Sequence, residues 1–134
     1  MAGVLVNQGE VIMLEAAVNK LAGQNLVLRL FKNNYTPVEA DTEAAYTEAD
    51  FTGYAAITLA GATWATTVGA PSDVTYPEQT FTSSANQAAQ SIYGYYLTQV
   101  TSGKLVAAER FSNGPYTMQN NGDALKVTPK ITQD

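Results

Sequence analysis

The chain carries twelve aspartates and glutamates but no histidine and no cysteine, which narrows the chemistry open to it. Without thiols there are no disulfide frameworks, thiolate zinc sites or cysteine nucleophiles. Without imidazole there is no Ser-His-Asp triad and no His-ligated metal. Oxygen chemistry remains. Glu39, Asp41, Glu43, Glu48 and Asp50 crowd the run VEADTEAAYTEAD, residues 38–50. Hard cations such as calcium need several such oxygens converging on one point. The run lacks the central glycine and distal glutamate of a twelve-residue EF-hand loop, so the plainer reading is a solvated acidic loop. No metal and no cofactor are expected.

A pair of carboxylates can hydrolyse glycosides without histidine when the two acids face each other across a groove. Glu48 with Asp50, or Glu78 with Glu109, are candidates, and nothing in the spacing selects either. No glycine-rich phosphate loop precedes a helix. The expectation is a protein that is not an enzyme.

Aromatic residues are the third candidate group. Tyr93, Tyr95 and Tyr96, with Trp64, Tyr54 and Tyr76, could stack on sugars or anchor a protein interface if exposed. Strand alternation puts Tyr93, Tyr95 and Leu97 on one face, and Gly94 and Tyr96 on the other. Tyr93 and Tyr95 read as core, while Tyr96 is open between covering an edge and making contact.

The elements that must position these groups are mostly strands. Residues 8–22 are the one good helix, with Asn7 as cap, Glu10 in the first turn and Gly23 closing it. Val11, Leu14, Val18 and Leu21 give its apolar stripe, widened by Ile12 and Met13, so it should pack on a sheet. The preceding MAGVLV is either an arm that orders on docking or an ordinary first strand. Residues 25–32 alternate as a strand, and residues 33–53 form a long acidic loop with a short helical turn near TEAAYTEADF, residues 42–51. Strand signals then recur as YAAITLA, TWATTV, VTYPEQTFTS, SIYGYYLTQV, KLVAAERF and ALKVTPKIT. Turns at 101–103 and at NNGD, residues 120–123, predict hairpins. In the last strand Leu125, Val127 and Ile131 should face inward. Regular short strands predict a single domain over residues 1–134, mainly β. The expected architecture is an antiparallel two-sheet sandwich, jelly-roll-like, with the N-terminal helix covering one end or face.

Charged residues make up 14% of the chain, against about 25% in a typical soluble protein. Net charge is −5, which disfavours a broad nucleic-acid surface. Seven acidic residues and no basic one lie between Lys32 and Lys104. No apolar run reaches the ~20 residues of a membrane helix, and MAGVLVNQGE does not read as a signal peptide.

The order of segments resembles a family of small structural proteins of tailed bacteriophages. The resemblance runs over residues 6–132: the helix segment VNQGEVIML, LVLRLFKNNYTP, YTEADFTGYAAITL, SIYGYYLT, GKLVAAERF and the closing NNGDALKVTPKI. LFKNNYTP and YTEADFTGYA are its most specific pieces. It implies a cement or decoration protein on the outer capsid surface, made in the host cytoplasm. The implied partners are the major capsid protein and further copies of itself, as homodimer or homotrimer, with no nucleic acid and no membrane. The residues expected at the contact are Tyr35, Glu39, Asp41, Glu43, Tyr46 and Tyr96. The alternatives are a tail, collar or head-fibre component, a carbohydrate-binding module using Trp64 and surface tyrosines, and a carboxylate hydrolase.

Overall fold

Short β-rich segments divided by glycine, proline and asparagine make many short strands rather than a few long ones. The computed structural model describes residues 2–17 and 25–133. Strand β1 (Val4–Leu5) leads into helix α1 (Asn7–Ala17), and β2 (Leu26–Phe31) precedes the long loop. Then come β3 (Ile57–Leu59), β4 (Ala65–Thr67), β5 (Ser72–Thr75) and β6 (Gln79–Thr82). The second half holds β7 (Gln90–Ile92), β8 (Gly94–Gln99), β9 (Leu105–Arg110), β10 (Tyr116–Met118), β11 (Ala124–Val127) and β12 (Lys130–Gln133). The protein is therefore mainly β with one helix among the described residues.

All the sheet pairings between these strands are antiparallel, and they fall into several sheets. The largest has the order β1-β9-β8-β2-β3. A three-stranded sheet, β12-β5-β4, joins it through a parallel bridge between Gly3 and Ile131. Two further pairs, β10-β7 and β11-β6, form separate two-stranded sheets. The N-terminal run is thus a strand, since Val4 and Leu5 pair with Ala108 and Ala107.

Several local expectations change. The segment ALKVTPKIT is two strands: Pro129 lies between them, β11 pairs with β6 and β12 with β5. Leu125, Val127 and Ile131 do face the core. The NNGD turn does not join a hairpin, because β10 on one side pairs with β7 and β11 on the other with β6. Instead the Asp123 carboxylate folds the turn on itself, accepting the backbone N–H groups of Gln119 at 2.9 Å and Asn120 at 2.7 Å. The β8–β9 hairpin forms as expected.

Helix α1 meets the sheet through a different face from the expected stripe. Gly9 lies against the backbone of Val106, where a Cβ would collide with the Val106 carbonyl. Ile12 packs on the core, while Val11 is 53% exposed and Leu14 68%. A glycine contact lets the helix axis approach the strand, and a pattern that counts only apolar side chains misses it. Val18, Leu21 and Gly23 lie outside the described residues, as does the expected helical run beyond Ala17.

Among the described residues two clusters fill the interior. The larger is mostly aliphatic and includes Leu28, Leu30, Leu59, Ile92, Tyr95, Leu97, Val106 and Ile131. The second lies on the other side of β2, β8 and β9 and joins Val6, Phe31, Tyr46, Tyr96, Leu105 and Ala108. Every residue of β8 is therefore buried, because that strand is covered on both faces.

Candidate docking surface

The second cluster exists because the acidic loop folds over it. Asn33 starts the loop with a clamp: its side-chain amide donates to the Ala45 carbonyl at 3.0 Å and accepts the Thr47 N–H at 2.9 Å. The returning chain then runs beside β2 beyond the point where β3 stops. Lys32 donates its N–H to the Thr47 carbonyl, Ala49 donates to the Leu30 carbonyl, and Glu48 bridges antiparallel to Phe31. Twenty residues without a long strand or helix are thereby held as an ordered cover.

Asp41 is the centre of that cover. Its carboxylate accepts the hydroxyls of Tyr35 at 2.6 Å and Tyr46 at 2.7 Å, and the Val38 N–H at 2.9 Å. Burial pushes its pKa up, but the three hydrogen bonds outweigh that and hold it below the ordinary 3.8. Tyr46 is raised well above the ordinary tyrosine value, first by burial and then by its bond to Asp41. Its ring stacks on Tyr96 with centroids 5.0 Å apart and meets Phe31 edge-on at 5.1 Å. Tyr96 is pushed up to about 12, mainly by burial. Arg110 reaches in from β9, donating to the Tyr35 carbonyl at 2.9 Å while its guanidinium lies 5.2 Å from the Tyr93 ring centre.

A second polar group braces the far end of the loop. Arg29 places Nη1 3.0 Å from both oxygens of Glu48 and donates from Nε to the Thr98 hydroxyl, also at 3.0 Å. Tyr54 donates its hydroxyl to Glu48 at 2.6 Å and accepts the Leu30 N–H at 3.2 Å. Outside it, Asp50 takes Lys32 at 2.8 Å and the Gln90 amide at 2.7 Å, and these bonds lower its pKa. Sequence reasoning missed the Arg29–Glu48–Tyr54 group. Its one signal was an arginine inside an otherwise apolar strand, which needs a partner when that strand is covered.

The six expected contact residues thus divide. Asp41, Tyr46 and Tyr96 are buried inside the cover, and Tyr35 is half-buried with its hydroxyl on Asp41. Glu39 and Glu43 are exposed, with Val38 beside them. The buried members shape the surface and the two glutamates present it. Tyr93 also departs from the alternation, since it interrupts β7 and β8 and packs on the second cluster, whereas Tyr95 lies in the first.

The loop's carboxylates are largely paired. Glu48 and Asp50 each sit against their own cation, Arg29 and Lys32. Glu78 lies near Lys126 on the surface, while Glu109 is buried on β9, raised by burial despite a hydrogen bond with Tyr95. Among the described residues no group of three or more acidic side chains is placed to hold a metal ion. Trp64 and Tyr76 meet edge-on at 5.2 Å, and Tyr54 stacks on Phe81 at 5.7 Å, so these rings face one another rather than forming a flat exposed platform. No described helix is long and apolar enough to cross a membrane. Compared with known proteins, the chain matches no family model and no curated protein.

Proposed function

We propose that the protein is a virion structural component: a cement or decoration protein that binds the outside of a tailed-phage capsid and bridges neighbouring capsomers. The observation that carries this reading is the preorganised acidic cover. Glu39 and Glu43 project from a loop whose base is fixed through Asp41, so docking requires little further ordering of that segment. The resemblance in LFKNNYTP and YTEADFTGYA supports the same assignment, because those residues build the cover: Asn33 clamps it, and Glu48 and Tyr54 brace it. We include in the proposal a jelly-roll-like sandwich in which the several antiparallel sheets wrap the aliphatic cluster.

The partners in this reading are the major capsid protein and further copies of the chain, on the outer capsid surface. A clamp that binds only the expanded lattice stabilises it by mass action, and many weak contacts reinforce one another through multivalency. The test is copy number in purified virions, by quantitative mass spectrometry against the major capsid protein. A ratio near one, or a simple fraction of it, supports lattice-wide cement. A handful to a few tens per particle assigns the protein to tail, collar or fibres instead. Absence from the particle defeats the structural reading.

A further inference from the structure

Eight of the described strands can be followed as one ribbon. From β3 the order runs through β2, β8, β9 and β1, crosses by the Gly3–Ile131 bridge to β12, and continues through β5 to β4. Among the described residues β4 ends the ribbon, and all three of its residues are exposed. Proteins commonly blunt such an edge with charge, proline or a bulge. Residues 61–69, GATWATTVG, contain no charged residue and no proline.

The face of this edge is unfinished. Thr66, Val74 and Ile131 lie in register across the small sheet. Trp64, already extended in backbone, packs edge-on against Tyr76. Alternation puts Trp64, Thr66 and Val68 on one side. A groove of about 170 Å³ runs there, lined by Thr66, Val68, Val74 and Ile131, with the β5 carboxylate Asp73 also in its lining, and walled by Met13 of α1. Val68 is 95% exposed.

We propose that β4 is the seam of a homodimer, pairing antiparallel with β4 of a second copy about a two-fold axis at Thr66. In that register Thr66 faces Thr66, Ala65 faces Thr67, and Val68 faces Trp64 of the other copy. Centring the axis on Thr66 sets the exposed valine beside the indole. Centring it on Thr67 would set Val68 against a threonine and Trp64 against Ala70. The neutral edge favours a second copy as occupant. A two-fold contact sets each residue near its own kind, and like charges placed opposite each other repel. The seam adds main-chain hydrogen bonds to both edges and extends the apolar row across them. This inference rests on the sheet edge and stands independently of the capsid assignment.

The cysteine-free chain makes the test direct. Opposite residues in an antiparallel pair have Cα atoms about 4.5–5.5 Å apart, within disulfide range. Thr66→Cys is therefore expected to give a covalent dimer under mild oxidation. The two Val68 positions are four residues apart along the seam, about 13 Å, so Val68→Cys is expected not to cross-link. In sedimentation velocity the unaltered protein should show a concentration-dependent dimer. Val68→Asp should shift it to monomer with unchanged circular dichroism and Tm. A monomer at every concentration, equal cross-linking at both positions, or a dimer that survives Val68→Asp would overturn the seam. The virion copy-number result bears on none of these readouts, so the two proposals fail separately.

Discussion

The two faces of the β2–β8–β9 sheet are covered by different means. One face is packed with aliphatic side chains delivered by strands, Leu28, Leu30, Leu97 and Val106 among them. The other is covered by a loop with no strand or long helix of its own, held down by Asp41 and a tyrosine stack. Burial of aliphatic area is non-directional and tolerates small shifts. A carboxylate bound by three donors depends on geometry and on charge. The first face should therefore govern global stability, and the second should govern the order of one surface and its response to pH.

The largest effect is expected in the first face. Leu97 is fully buried, and Leu97→Ala should cost about 2–5 kcal/mol, read as a fall in the denaturant midpoint with the slope unchanged. A loss below about 1 kcal/mol would break the contrast between the faces. Next comes Asp41→Ala, which leaves the Tyr46 hydroxyl without its buried acceptor. The expected cost is about 1–3 kcal/mol. Hydrogen exchange should rise across residues 35–46 while β8 and β9 stay protected. Uniform loss of protection would mean that the loop and the sheet unfold as one unit.

Acid should separate the faces further. Asp41 titrates below its ordinary value in the folded protein, so its stabilisation is complete above about pH 3.8 and is lost as pH falls through the folded value. Glu109 has the opposite sign. It stands directly across from Tyr95, on the first face, and burial raises it above the ordinary 4.5. Its penalty is absent below pH 4.5 and grows as pH rises toward its folded value. Glu109→Gln should flatten stability against pH in that window and leave the more acidic loosening of the loop unchanged. An unaltered profile would remove Glu109 as the source.

The smallest effect on folding is expected at Glu39 and Glu43. Reversing both to lysine should shift Tm by no more than about 4 °C, since surface changes away from caps and networks usually stay within about 0.5 kcal/mol each. If the cover docks on capsids, the same variant should co-sediment with them less. Asp41 is unsuitable for such a reversal, because a lysine there would break the buried knot and confound docking with unfolding.

Much of the strand content was legible because it rests on local pattern. LVLRLF alternates, its leucines enter the core as expected, and SIYGYYLTQV with KLVAAERF makes the hairpin. The acidic loop and its short turn were legible for the same reason, and the turn appears at Glu43–Ala45. Pairing partners were not legible. The NNGD turn carries a hairpin signal, yet its flanking strands go to β7 and β6, because long-range packing outweighs a two-residue preference. Tyr96, Tyr46 and Asp41 looked like surface chemistry because a polar loop is ordinarily solvated. They are interior because that loop folds back over a second apolar face of the sheet.

By itself, the sequence determined the β character, the absence of thiol and imidazole chemistry, and the placement of negative charge between Lys32 and Lys104. These follow from residue type and spacing, which need no knowledge of distant neighbours. Only the tertiary structure decided which carboxylates are fixed inside and which are displayed, which helix face meets the sheet, and which strand is left as an edge among the described residues. Each of those depends on segments far apart in the chain coming together, as Arg29 does with Thr98 and Arg110 with Tyr35.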